Sequence, residues 1–409
     1  MIRRYNVKRD RKAVHRIWRE TGWLKKDKTD AMDVFLKGCR SWVGELEKQA
    51  ECLVCTTPGT FRYMDEELPF SGVTSVATSR VGRKRDLASR VTAAAVADSV
   101  ENGAVLSALG MFEQGFYNRL GFGTGSYEHM VRFDPAMLKV KTKPRVPVRL
   151  TAKDWASVHK GRVARRRGHG SCNLHPPEAT RWTMMLPDHG FGLGYRDGPR
   201  GELTHHIWAD ARDNSEQGPY DIWWTCFRNG EQLLELMALV KALGDQVRLI
   251  SIREPAGVQL QTLLAKPFYR SQISRKSDFE SGVRAWAYWQ LRICDLPACL
   301  EKTHLVGGPI RFNLELTDPI EKHLDENRRW RGIGGSYVVE LGESSRAEKR
   351  ADAALPVLKA DTGAFSRLWA GVAPASGLAI TDRLEAPQEL IHDLDRLMRL
   401  PQPHPDWDF

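Results

Sequence analysis

Three basic residues, Arg83-Lys84-Arg85, stand between a β-branched run, Val73-Thr74-Ser75-Val76-Ala77-Thr78, and an Ala-rich run opening at Leu87-Ala88. A strand that turns directly into a helix leaves backbone N–H groups unpaired at the positive end of the helix dipole, which suits an anion. Arg and Lys side chains add point charges for a pyrophosphate or a 3′-phosphate. Read alone, the same three residues are also a solvated helix start. The turn is not of the Walker type, because no Gly-Lys-Ser/Thr is present. Asp86 works against an anion here: two unit charges ~4 Å apart at an effective dielectric near 20 repel by about 4 kcal/mol. As an N-cap its side chain would also take up one of the free amides.

A phenol follows in Gly115-Phe116-Tyr117-Asn118-Arg119-Leu120-Gly121-Phe122-Gly123. Phenols titrate near 10 and thiols near 8.5, so Tyr117 can hydrogen-bond a departing thiolate, or protonate it uphill by about 1.5 units. Without its flanking residues it reads equally as a buried aromatic whose hydroxyl caps a loop. The chain ends Pro401-Gln402-Pro403-His404-Pro405-Asp406-Trp407-Asp408-Phe409, a stiff arm with aromatic anchors that predicts a docked terminus instead of a frayed one.

The elements that must position these groups can be read from periodicity. Tyr5 to Trp23 and Ala31 to Trp42 read as helices, with Val14, Ile17, Trp18, Met32, Phe35 and Leu36 at helical spacing. Glu51 to Thr56, Gly72 to Thr78 and Ala104 to Leu109 read as strands, and Leu87 to Val100 as a helix stopped by Asn102-Gly103. The Lys/Pro-rich stretch from Lys139 to Pro147 reads as a linker. Beyond it, Leu203 to Ala209, Tyr220 to Phe227 and Val247 to Ile252 read as strands and Gly230 to Ala242 as a helix. A third unit from about Leu291 carries strands at Ile310 to Leu316 and Ser336 to Leu341 and helices at Thr362 to Ala370 and Glu389 to Leu400.

Composition bounds the class. The 409 residues are 42% hydrophobic and 27% charged, with 61 Lys+Arg against 51 Asp+Glu and a net charge of +10. That is a globular chain of roughly two to four domains. No run approaches the ~18 apolar residues of a membrane span, and the start lacks a secretory signal, so a cytoplasmic protein without a membrane partner is expected. Seven cysteines, an odd number, read as free thiols. Cys52-Leu53-Val54-Cys55 lacks the further ligands a zinc site needs, and adjacent His205-His206 point to opposite strand faces, so no metal is expected. The basic run from Arg162 to Gly170 lacks aromatic stacking partners, and reads as a solvated loop in preference to a nucleic-acid surface. No Gly-x-Ser-x-Gly or His-Glu-x-x-His motif occurs.

The order strand, basic turn, helix, then Tyr-x-x-x-Gly-Phe resembles the acetyl-CoA site of the GNAT N-acetyltransferases. More narrowly, Phe116 to Gly123, together with Ala97-Asp98, Glu101-x-Gly103 and the Phe-ended tail, is similar to the Eis (enhanced intracellular survival) family. The resemblance implies an α+β chain of two tandem GNAT-like domains, residues 1–138 and 139–290, followed by a sterol-carrier-protein-like domain, residues 291–409. It implies acetyl-CoA as co-substrate, a primary amine as acceptor (aminoglycoside-like or lysine-like), and a homo-oligomer, with hexamers common in the family. Tyr117 becomes the general acid and the Phe409 α-carboxylate the base. The backbones of Val76 and Thr78 pair with the pantetheine arm, and Arg83, Lys84, Arg85, Asp86, Leu87, Ala88 and Asn118 surround the coenzyme. Asp408 attracts the cationic amine, while Trp23 and Phe35 line the acceptor cleft or pack in the core. Asp86 replaces the glycine of the family motif, which predicts weakened coenzyme binding. If that binding is lost, the chain becomes a degenerate acetyltransferase that carries an apolar or acyl-CoA ligand.

Overall fold

The computed structural model describes residues 1–24, 28–266, 268 and 275–408. The first part runs β1 (Ile2–Arg4), α1 (Val7–Glu20), α2 (Thr29–Lys37), β2 (Arg40–Leu46), β3 (Gln49–Tyr63), β4 (Glu66–Thr78), α3 (Leu87–Glu101), β5 (Leu106–Gly110) and β6 (Gly123–Thr124). The second runs β7 (Glu128–Phe133), β8 (Val148–Leu150), α4 (Trp155–Val163), β9 (Cys172–Leu174), α5 (Pro177–Met185), β10 (Gly190–Tyr195), β11 (His205–Asp210), β12 (Tyr220–Cys226), α6 (Gly230–Ala242), β13 (Ile250–Arg253), β14 (Gly282–Trp286) and β15 (Trp289–Ile293). The third comprises α7 (Leu296–Glu301), β16 (Ile310–Thr317), β17 (Gly335–Leu341), β18 (Arg346–Glu348), β19 (Val357–Asp361), α8 (Thr362–Trp369), α9 (Ala375–Thr381), β20 (Leu384–Glu385) and α10 (Gln388–Leu397).

Three mixed sheets organise these elements, in the orders β1-β2-β3-β4-β5-β15-β6, β14-β7-β13-β12-β11-β10-β8 and β18-β17-β16-β19-β20. The α+β class is therefore that of the sequence. The sheets cross the cuts placed at residues 138 and 290. Strand β7 belongs to the second sheet, β9 pairs with β3, and β15 inserts between β5 and β6 of the first sheet. The two halves thus share backbone hydrogen bonds, which ties them more firmly than side-chain packing alone would.

Local signals placed most elements. Helix α3 ends at Asn102 with Gly103 at φ +95, the left-handed geometry of a helix stop. Its run Ala93–Ala97 is buried throughout, because short side chains let sheet and helix approach closely. One expectation fails: the second helix stops at Lys37, not Trp42, and Arg40–Leu46 is strand β2. Gly38 closes the helix, and Trp42 pairs with Val54 across the sheet.

The third part is fixed to the first by aromatic packing. Tyr63 stacks on Trp369 at 4.2 Å between ring centroids and donates its hydroxyl to the Trp369 carbonyl at 3.0 Å. Phe61, Phe70, Phe312, Leu314 and Phe365 belong to the same buried cluster. Such rings bury large areas, so this seam is a rigid joint.

Candidate active site

Strand β4 pairs with β3 along its whole length but with β5 only from Phe70 to Val73, which meet Leu106 to Leu109 in parallel. Past that point the two strands separate, leaving the Thr74–Thr78 edge of β4 open towards β5. A bulge lies in the same place: the β3–β4 register shifts between Leu53 and Cys55, and Ser75 takes φ +56.

This open edge forms one wall of a cleft of about 790 Å³. Val76 and Thr78 line it, as do all six residues from Arg83 to Ala88, and Trp23, Phe112, Glu113, Phe116 and Arg119 are also in its wall. Eight of the nine expected coenzyme residues therefore share a single cleft. Asn118 is the exception; it lines the neighbouring cavity beside Lys322, and its Oδ1 accepts from Gln290 Nε2 at 3.2 Å. Trp23 is half exposed in the cleft wall, whereas Phe35 is 4% exposed and packs on Trp182 at 4.6 Å between centroids. Phe35 is thus core, as its helical spacing also allowed.

The turn departs from expectation at Asp86. It precedes α3 at φ +56, and its side chain makes no cap hydrogen bond. The left-handed backbone is the reason a glycine suits this position. The carboxylate turns to the third part of the chain instead, with Oδ2 3.5 Å from His323 Nδ1. The α3 amides are left for a ligand, so the side chain does not compete for them.

Tyr117 opens the 3₁₀ turn Tyr117–Leu120 and is 1% exposed. It packs edge-on to Phe116 at 4.8 Å and Phe112 at 6.0 Å, both lining the cleft. Burial, reinforced by Cys52 and Tyr288 nearby, pushes its phenol well above the usual value. A phenol held so firmly in its neutral form donates a hydrogen bond well and surrenders its proton reluctantly. The glycines after it have separate reasons. Gly121 ends the turn at φ +76, and a Cβ on Gly123 would stand 2.3 Å from the Gly363 carbonyl oxygen.

The tail is docked as far as Asp408, while Phe409 lies outside the described residues. His404 N donates to the His169 carbonyl and Cys172 N to that of Pro405, each at 2.9 Å. Arg165 holds Asp406 through Nε at 3.0 Å and Nη2 at 2.6 Å. Trp407, 3% exposed, lies 3.8 Å from the Arg162 guanidinium, which sits on Trp224 from the other side at 4.0 Å. Asp408 pairs with Arg253, whose Nε is 3.4 Å from Glu128, the first residue of β7. With Asp408 engaged in this way, its expected attraction for an amine is partly spent on Arg253.

Two readings of the sequence change here. The basic run from Arg162 is no solvated loop, because Arg162 and Arg165 are 4% and 9% exposed and hold the tail. Aromatic Trp407 and acidic Asp406 were the available signal, about 240 residues away. His205 and His206 do face opposite ways: His205 meets Glu235 at 3.0 Å and His206 receives Trp224 Nε1 at 3.2 Å. Asp197, His205 and Glu235 gather their ligand atoms within 4.8 Å. Arg145 already bridges both carboxylates at 2.7 Å each and fills the cationic place. Cys52 and Cys55 are both buried in β3, and burial pushes the Cys52 thiol up to about 12.

Comparison with known proteins now has a geometry to meet. Residues 5–125 match the model of the acetyltransferase (GNAT) domain. The part of the chain that carries the cleft is therefore similar to a GNAT acetyltransferase domain. Over its full length the chain has the Eis-like fold: it superimposes on Eis1 from Mycobacterium abscessus with a TM-score of 0.76 at 15% identity, covering 100% of both chains. A probable N-acyltransferase from Enterococcus faecalis V583 gives 0.78 at 17% identity, covering 100% of this chain and 99% of that one. A GCN5-related N-acetyltransferase from Anabaena variabilis ATCC 29413 gives 0.78 at 14%, covering 100% of both. No curated protein matches the sequence. Among the described residues no helix is long and apolar enough to cross a membrane.

Proposed function

We propose that the protein transfers the acetyl group of acetyl-CoA directly to a primary amine, of aminoglycoside-like or lysine-like type. The observation that carries this reading is the cleft that joins the open edge of β4 to the uncapped start of α3 and to Phe116 and Arg119, which flank the buried Tyr117. In it the pantetheine arm adds to the exposed backbone of Val76 and Thr78, and the pyrophosphate takes the amides from Arg85 to Ala88. Arg83, Lys84 and Arg85 supply counter-charge.

The amine nitrogen attacks the thioester carbonyl, the C–N bond forms and the C–S bond breaks. The amine loses one proton, through water or directly, to the Phe409 α-carboxylate. The coenzyme thiolate leaves against the Tyr117 hydroxyl and takes up a proton from it or from solvent. Because burial holds Tyr117 neutral, hydrogen-bond stabilisation of the thiolate dominates over complete proton transfer. Most of the acceleration comes from holding the two reactants together. The cuts 1–138, 139–290 and 291–409, the sterol-carrier-like character of the last domain and a hexameric assembly belong to the same reading.

Thiol release from acetyl-CoA, followed with a disulfide dye across a panel of amines, tests it. Turnover with at least one amine, lost in Tyr117→Phe, is the expected result. Binding of acetyl-CoA without turnover on any amine would move the protein to the ligand-carrier reading.

A further inference from the structure

The third part of the chain reaches the coenzyme turn through one side chain. His323 ends the 3₁₀ turn Pro319–His323, whose shape is set by buried neighbours. Asp318 accepts from Ile320 N at 3.3 Å and Ile333 N at 2.9 Å, and pairs with Arg292 at 2.7 Å. Ile320 is itself buried in the core around α3. The imidazole is therefore held in place, 16% exposed in its side chain, with Nδ1 3.5 Å from Asp86. Asp86 has the opposite freedom, because its side chain is half exposed and makes no cap. Charges near the pair include Arg83, Lys84, Arg85, Arg119 and Glu113 lining the cleft, Lys322, Arg383, Asp318, Asp361 and Asp382 lining the neighbouring cavity, and Arg90, which faces Asp325 at 3.8 Å.

We infer that His323 is a positioning residue of the coenzyme site, holding the Asp86 carboxylate to the side of the α3 amides so that a pyrophosphate can bind where the family motif has glycine. This rests on the reading above that the pyrophosphate lies at this turn. It also assigns the third part of the chain a share in coenzyme affinity. Released from His323, Asp86 has two options, and both oppose the ligand: it caps α3, or it presents its charge to the phosphates.

The test is a cycle of His323→Ala, Asp86→Gly and the double variant in the full-length protein, with acetyl-CoA affinity read by calorimetry and KM and kcat from thiol release. His323→Ala is expected to raise the dissociation constant and KM about five- to tenfold while kcat stays within about twofold. Asp86→Gly is expected to tighten binding about two- to threefold. The double variant is expected to match Asp86→Gly, because a histidine with no acid to hold has nothing to do. A merely structural role for His323 would leave its loss uncorrected by Asp86→Gly, and that additivity overturns the inference. His323→Lys guards against misfolding: it should keep wild-type affinity, and a loss equal to that of His323→Ala also overturns it. Should wild type itself fail to bind acetyl-CoA, the coenzyme reading falls with it. Binding in wild type with no coupling between the two positions removes only the role of His323.

Discussion

The chain contains the same strand–helix–strand unit twice, and the two copies treat their clefts in opposite ways. In the first, β4 and β5 part after Val73 and Leu109. In the second, β12 and β13 run parallel from Tyr220 to Ile222 and part in the same manner. The first opening is the cleft of about 790 Å³. Beside Trp224–Phe227 the cavity is about 50 Å³, walled by Arg162, Arg165, His404 and Asp406, and the space of about 660 Å³ beyond Ile222 and Trp223 is lined by the charged side chains of Arg132, Arg212, Asp221, Arg253, Asp278, Arg284 and Asp408. The helix starts differ in parallel. Asp86 leaves the α3 amides uncapped, whereas the Asn229 side chain accepts from Gln232 N and Gln232 accepts in turn from Arg228 N, closing the start of α6. A shared topology therefore does not make a shared site. What separates an anion site from a structural joint is whether the chain uses its own polar groups to close the gap.

The closed half offers the strongest test of this contrast. Arg165→Ala strips Asp406 of its bidentate partner in a buried setting, and should cost about 3–5 kcal/mol of stability, visible as a lower calorimetric melting temperature. A change below about 1 kcal/mol would show that the tail is held by other contacts. In the open half, Tyr117→Phe should lower kcat about 10²- to 10³-fold with the acetyl-CoA dissociation constant unchanged, checked by thiol release and calorimetry. Equal loss in affinity and kcat would place Tyr117 in binding and not in chemistry.

Acid should open the closed half selectively. Burial pulls His159 down to about 4 and His206 to about 3, each also facing the Arg162 charge. Both are neutral when folded, so the unfolded chain binds more protons below about pH 6.5. The stability they contribute is complete above that pH and is lost as pH falls towards the folded values. Together they should cost about 3 kcal/mol by pH 5.5, followed as melting temperature against pH. A flat profile from pH 7 to pH 5 would contradict the burial. The smallest effect belongs to Asn229→Ala, which removes the α6 cap and should cost about 1 kcal/mol without altering acetyl-CoA affinity. Any gain of a second coenzyme site in that variant would break the comparison.

Much of this arrangement was legible along the chain because it is governed by neighbours. The Ala-rich helix after a basic turn, the stop at Asn102-Gly103 and the amphipathic Gly230–Ala242 follow from caps, turns and periodicity within about ten residues. Eight of the residues expected to surround the coenzyme met in one cleft because strand, turn and helix are continuous in sequence. Phe35 and Trp23 could not be separated in this way, since both sit near the ends of amphipathic helices. Only packing against Trp182 buries the first.

By itself the sequence determined the α+β class, the basic turn, the phenol beside it and a tail built to dock. Tertiary structure alone decided which basic run would meet that tail, which strands would cross between sheets, and which way Asp86 would point. The physical reason is distance along the chain. Arg165 with Asp406, and Asp86 with His323, are joined by topology and buried packing, and no local propensity carries information about a partner more than two hundred residues away.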